Sequence, residues 1–204
     1  MSVSRTLQNM MSEQRKKALA KYGKGVLTME GRWNQCMDCR VPAFLSLEGV
    51  IVEVAPVGIP GRDTDGCANL ISIEDDNGNL VEIVVTSDTY VVDYVMLKEG
   101  MRATFYYRTD APMPLIFPPR YRAAVVVPAR KDGRFITVGY FAEDLINTEE
   151  TVHLFLREDT KILTRNGQQF IGNPGGHNLV ACFETATRSI PANVIPLWVV
   201  VLCS

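Results

Sequence analysis

Cys36-Met37-Asp38-Cys39 places two thiols three residues apart, a spacing that lets one turn of chain offer both to a single Zn²⁺. A structural zinc site takes four ligands. The other candidates, Cys67, His153, His177, Cys182 and Cys203, form no second pair of that kind. Two chains could each give one pair across a dimer. A thioredoxin-like redox role wants a βαβ setting, which the pattern lacks. Cys36 and Cys39 are therefore read as ordinary reduced thiols, and neither metal nor cofactor is expected.

The remaining candidates for chemistry are sparse. Two histidines leave little room for acid–base catalysis; His153 sits inside a strand pattern, and His177 follows Pro174-Gly175-Gly176 in a loop. No Ser-His-Asp or Cys-His spacing can be drawn. Glu74-Asp75-Asp76 before Asn77-Gly78 lacks the twelve-residue loop and closing Glu of an EF-hand, and reads as a solvated hairpin tip. GIPG (58–61) and GNPGGHN (172–178) lack the GK[ST] ending of a phosphate loop. No catalytic residue is proposed, and the chain is read as a binding or assembly protein before an enzyme; an enzyme whose residues follow none of these patterns is kept as a third reading.

The Pro-rich loops carry more. TDAPMPLIFPPR (109–120) sets Met113, Leu115, Ile116 and Phe117 among four prolines, with Arg108 and Arg120 at its ends. Stiff loops with large apolar residues make contact surfaces. The expected ligand or partner contacts are Arg108, Met113, Phe117, Arg120 and Tyr121, together with Trp198, which falls on Tyr121 in the repeat described below.

These loops need elements to hold them. From Phe44 the apolar period is two. FLSLEGVIVEVA (44–55) predicts a strand with a bulge or bend at Gly49. Strands follow at 68–75, 80–86, 101–108 and 121–127, with Asp76-Asn77-Gly78-Asn79 as a hairpin turn. Five strands, with the longer connection between the third and fourth, is the order of a small OB-type barrel, whose loops 56–67 and 109–120 flank the ligand face. Before them, residues 5–22 have a thin helical stripe ended by Gly23 and Gly25.

The chain also repeats itself. VEIVVTSDTYVV (81–92) lines up with VHLFLREDTKIL (152–163), so that Asp88-Thr89 falls on Asp159-Thr160. An aspartate suits such a turn because its carboxylate accepts backbone N–H groups two residues on. Further along, Pro114 falls on Pro191, Tyr121 on Trp198, and MRATFYYR on NLVACFET (178–185). FITVGYF (135–141) fits the first strand of the second copy, but no counterpart of the 68–86 hairpin is visible, and a strand is expected to be missing. LWVVVLC (197–203) is apolar on both faces and is expected to be buried between the copies or between subunits. The fold expected is all-β: a basic, partly helical segment over 1–43, an OB-like β-barrel over 44–130, and a diverged barrel over 131–204.

EDTKILTRNG, ATRSIPANVIPLWVVVL, Ser87-Asp88-Thr89, Pro114 with Pro118, and Arg188-Ser189-Ile190-Pro191 carry a resemblance. Over residues 44–204 the chain resembles uncharacterised bacterial proteins with paired OB-like β segments. Some of those are exported and carry a domain like the copper amine oxidase N-terminal domain. The resemblance implies the OB-like fold and no activity. No copper-ligand set stands in this chain, so amine oxidase chemistry is not carried over.

Charge narrows the partners. Residues 1–43 carry +5, residues 44–130 carry −5 and residues 131–204 carry −2. Acidic barrels argue against nucleic acid, whose binding rests on phosphate contacts. No apolar run reaches a membrane span, and the first residues have no apolar signal core, so a cytoplasmic location is expected. The expected function is a non-catalytic binding or self-assembly module, a homo-oligomer. The alternative is an OB-type binder of a small molecule or oligosaccharide through the loop 56–67 and 109–120 end.

Overall fold

In β1, Phe44–Pro56, one strand serves two partners because it bends in the middle. Its first half pairs antiparallel with β5, Arg102–Arg108, and its second half with β2, Ala68–Glu74. Gly49 stands at the changeover. A Cβ there would lie 2.6 Å from the Glu74 carbonyl oxygen, so only glycine allows so close an approach. The structure is a computed structural model that describes residues 43–57, 66–111 and 117–203. The helix expected over 5–22, the rest of the basic segment, Cys36 and Cys39, and Met113 lie outside the described residues. The described residues form an all-β structure; their helical content is one short 3₁₀ turn, Val92–Tyr94.

β2 turns back through Asp75–Asn79 into β3, Leu80–Thr86, as the Asn-Gly signal requires. The Asp75 carboxylate accepts the Asn77 and Asn79 amides at 2.9 and 2.8 Å and fixes the turn. β4, Tyr90–Val91, and then β3 itself pair in parallel with β6, Arg120–Pro128, which also pairs antiparallel with β5. The ladder therefore returns to its start: β1, β2, β3, β6, β5 and β1 again. Inside this ring lie Ile51, Ile71, Ile73, Val81, Ile83, Ala103 and Phe105.

A second set of ladders follows the same path. β7, Phe135–Phe141, and β12, Trp198–Leu202, flank β10, His177–Phe183, antiparallel on both sides. β8, Val152–Leu154, runs parallel with β11, Ala192–Val194, and β9, Lys161–Thr164, parallel with β12. The missing hairpin is reduced rather than absent. Phe141 pairs with Asn147 and Ile146 with His153, so Ile146 and Asn147 close the circuit where β2 stands in the first ring. The expectation of a lost strand is corrected to that extent.

Asn147 makes the reduction possible. It occupies the ladder position of inward-facing Ile73, and it is buried. Its Oδ1 accepts the Thr151 and Val152 amides, each at 2.8 Å. Its Nδ2 donates to Glu149 at 2.9 Å and to Thr151 at 2.8 Å. One side chain thus replaces the backbone partners that a longer hairpin would supply.

The ladders also set the register of the repeat. Ile83 faces Tyr121 as Leu154 faces Val194, and Tyr90 faces Val125 as Lys161 faces Trp198. The early part repeats at 71 residues, as expected, but the last strand repeats at 73 and not 77. Tyr121 therefore corresponds to Val194, and Trp198 to Val125. Pro118 replaces Pro114 as the counterpart of Pro191; Phe117-Pro118 and Ile190-Pro191 are both cis. Gly49, opposite Ala103, corresponds to Gly139, opposite Leu179.

The turn shared by the copies is built by threonine. Thr89 Oγ1 accepts the Thr86 amide at 3.0 Å and donates to the Ala123 carbonyl at 2.7 Å. Thr160 Oγ1 accepts the Arg157 amide at 2.9 Å and donates to the Pro196 carbonyl at 3.4 Å. Asp88 and Asp159 do stand at equivalent turns, but Asp88 pairs outward with Arg122.

Candidate functional site

Residues 40–204 are one compact unit, and a shared apolar core joins the two rings. Tyr90, Val92 and Val125 from the first ring pack with Val180, Val200 and Leu202 from the second; Leu163 and Trp198 lie against them. The doubly apolar strand β12 is thus covered within the chain. Val199 and Val201 face the interior of the second ring, while Val200 faces the first and is only 2% exposed.

The residues expected to make contacts do not converge. Arg108 is bound to Asp110 by two hydrogen bonds at 2.9 and 2.7 Å, and this partner holds the Asp110 carboxyl below its ordinary range. Arg120 is paired with Glu82, its neighbour across the β3–β6 ladder, at 2.6 Å. Tyr121 points into the first ring at 8% exposure, with its ring centroid 4.5 Å from that of Tyr107. Burial raises both phenols, that of Tyr107 to about 12. Trp198 is half-buried against the shared core. Phe117 alone among the described members of the set is an open apolar residue, at 74% exposure.

A counterpart to Phe117 emerges from the ladder register. Ile190 precedes Pro191 as Phe117 precedes Pro118, and it is 91% exposed. Each ring therefore raises one large apolar side chain at the same point of its circuit, just before the strand that closes it. The sequence carried the signal in the shared residue-proline pair, but alignment on Pro114 hid it.

Where the rings meet, an open cleft of about 500 Å³ is lined by Ser87, Tyr90, Val91, Tyr94, Val95 and Arg165, among others. Its floor is a brace. Arg165 donates to the carbonyls of Asp88, at 2.5 Å, and Cys203, at 2.6 Å, while the Tyr94 hydroxyl donates to the Arg165 carbonyl at 2.6 Å. Arg130 adds a second clamp, held by Asp93 and Asp132, each at 2.5 Å. Hydrogen bonding to Arg130 is the main reason that the Asp132 carboxyl falls to about 2.

The histidines are apart. His153 lies with its ring 4.1 Å from Phe155, and His177 Nδ1 is 2.9 Å from the Gly175 carbonyl. Among the described residues no group of three His, Cys, Asp or Glu side chains is placed to hold a metal. Cys182 is buried, and burial raises its thiol above the ordinary value. Among the described residues, no helix is long and apolar enough to cross a membrane. No family model matches the chain, and no curated protein matches it.

Proposed function

We propose that the chain is a tandem pair of OB-like barrels serving as a non-catalytic binding and self-assembly module, with its contacts made through the loop ends. The circuit β1-β2-β3-β6-β5, with the parallel pair between β3 and β6, supports the OB reading of the first ring, and the same circuit supports it for the second. One observation carries the functional reading: Phe117 and Ile190 stand exposed at equivalent positions of the two loops that precede the closing strands. Proline restricts the backbone of the residue before it, so each side chain is presented from a backbone that loses little freedom on contact. Single exposed apolar residues are ordinary on any surface; the same exposure at both ends of a repeat is what sets these apart.

The partner proposed first is a second copy of the chain, as expected of a homo-oligomer. The experiment is light scattering on the intact protein and on the double variant Phe117→Ser, Ile190→Ser. The wild type gives a mass above that of one chain, and the variant falls to one chain with its melting temperature unchanged. A monomeric wild type, or an assembly that ignores both substitutions, overturns the reading. A second reading is a binder of a small molecule or oligosaccharide, now at the junction of the rings and not at the loop 56–67 and 109–120 end first expected; the cleft beside Tyr94 and Arg165 favours it, since such sites prefer the junctions between packed units.

A further inference from the structure

The two rings meet through the same face of each. Val92, Val125 and Val127 of the first ring correspond to Leu163, Trp198 and Val200 of the second, and all six lie in or against the shared core. The pairing continues at the edge: Tyr94 corresponds to Arg165, and its hydroxyl donates to the Arg165 carbonyl. A patch that packs on its own counterpart patch has the arrangement of an isologous two-fold dimer, in which residue i meets j and j meets i. Here a single chain supplies both halves.

We infer that this face is a self-recognition surface, and that the partner it fits in trans is a second copy of this chain, first ring against second ring. The two halves have diverged enough to prefer each other over themselves. Tyr90 in the shared core has Lys161 as its counterpart, which is exposed, and exposed Glu48 has Val138, which packs against that core. The connection between the rings is short. Ala129 is tied to the Arg102 carbonyl at 2.8 Å, and Phe135 is already paired with Phe183, so residues 130–134 are the whole connection. A link of that length holds the two faces at an effective concentration of order millimolar, so the intact chain closes on itself. A chain with one face broken leaves the other open to a neighbour.

This rests on the assembly reading above but uses a different surface, and the Phe117 and Ile190 variants leave it untouched, so the two fail separately. The test is complementation between full-length chains that also carry Phe117→Ser and Ile190→Ser. One chain bears Val127→Asp, the other Val200→Asp, at corresponding positions. Mixed in equal amounts, they form a species of two chains that neither forms alone, and the mixture melts higher than either component. No two-chain species from components that keep their β-sheet circular dichroism overturns the inference. If Val200→Asp loses that signal, Trp198→Glu replaces it, because Trp198 is only half-buried and the charge there spoils the face with less harm to the ring. The same two outcomes then decide.

Discussion

Replacing Asn147 by alanine removes four hydrogen bonds from one place. At about 0.5–1.5 kcal/mol each, their simple sum is roughly 2–6 kcal/mol. The bonds to Glu149 and Thr151 side chains belong to the low end, since water reaches both residues. The two backbone amides of Thr151 and Val152 lose their acceptor and belong to the high end. The expected loss is about 2–4 kcal/mol, which for a chain of this size lowers the melting temperature by roughly 4–16 °C. Urea denaturation monitored by circular dichroism measures it. Asn147→Asp keeps the acceptor for both amides but sets a carboxylate against Glu149, and falls between the two. Asn147→Ile restores the residue type found at the matching position, Ile73, and still loses stability, because the short circuit needs the amide and not the apolar volume. An alanine variant within 0.5 kcal/mol of wild type refutes the claim that this side chain replaces a hairpin.

Val200→Asp destabilises by about 3 kcal/mol or more, from lost apolar burial and an aspartate deprived of water, measured in the same denaturation experiment. Thr89→Ala costs about 1 kcal/mol and Thr160→Ala less, following the 2.7 and 3.4 Å lengths of their bonds to the carbonyls of Ala123 and Pro196. Hydrogen bonds, chiefly from Asn79, hold the Asp75 carboxyl below its ordinary value, so its contribution to the hairpin is fully present above that ordinary value and fades as pH falls through the lowered one. Amide resonances of Asn77 and Asn79 followed down an acid titration report the change. Cys182 stays unreactive to a thiol reagent in the native protein, while exposed Cys203 is modified.

Period-two alternation was enough to locate β1, β2, β3 and β5, because each turns one face to the interior of the first ring; the two-residue β4 was not expected. Ile71 and Ile73, or Ala103 and Phe105, are marked by what lies between them. The Ser87-Asp88-Thr89 turn was equally legible, since its hydrogen bonds to Thr86 are local. The closing strand was not. AAVVV and VVVLC are too uniform to fix a register by eye, and the true one is set by partners far away in the chain, Tyr90 and Lys161. A break at 195–197 also splits the second copy of that strand into two pieces. The contact residues suffered for the same reason. Tyr121 and Trp198 were joined by a shift of four residues, and they lie in different cores. Ile190 and the Arg165 brace depend on the ring-to-ring geometry, which no local pattern contains.

The parallel pairing of Glu82 with Arg120 spans 38 residues, and it completes the first ring before any residue of the second is needed. The second ring closes in the same way through its own distant parallel pair, Val152 with Ala192, so either ring can stand closed without the other. With only the first ring closed, Tyr90, Val92 and Val125 would form an apolar wall without β10 and β12 to cover it. Protein concentration then acts as the selector of fate during refolding: dilute chains find their own second half, and crowded ones find each other's.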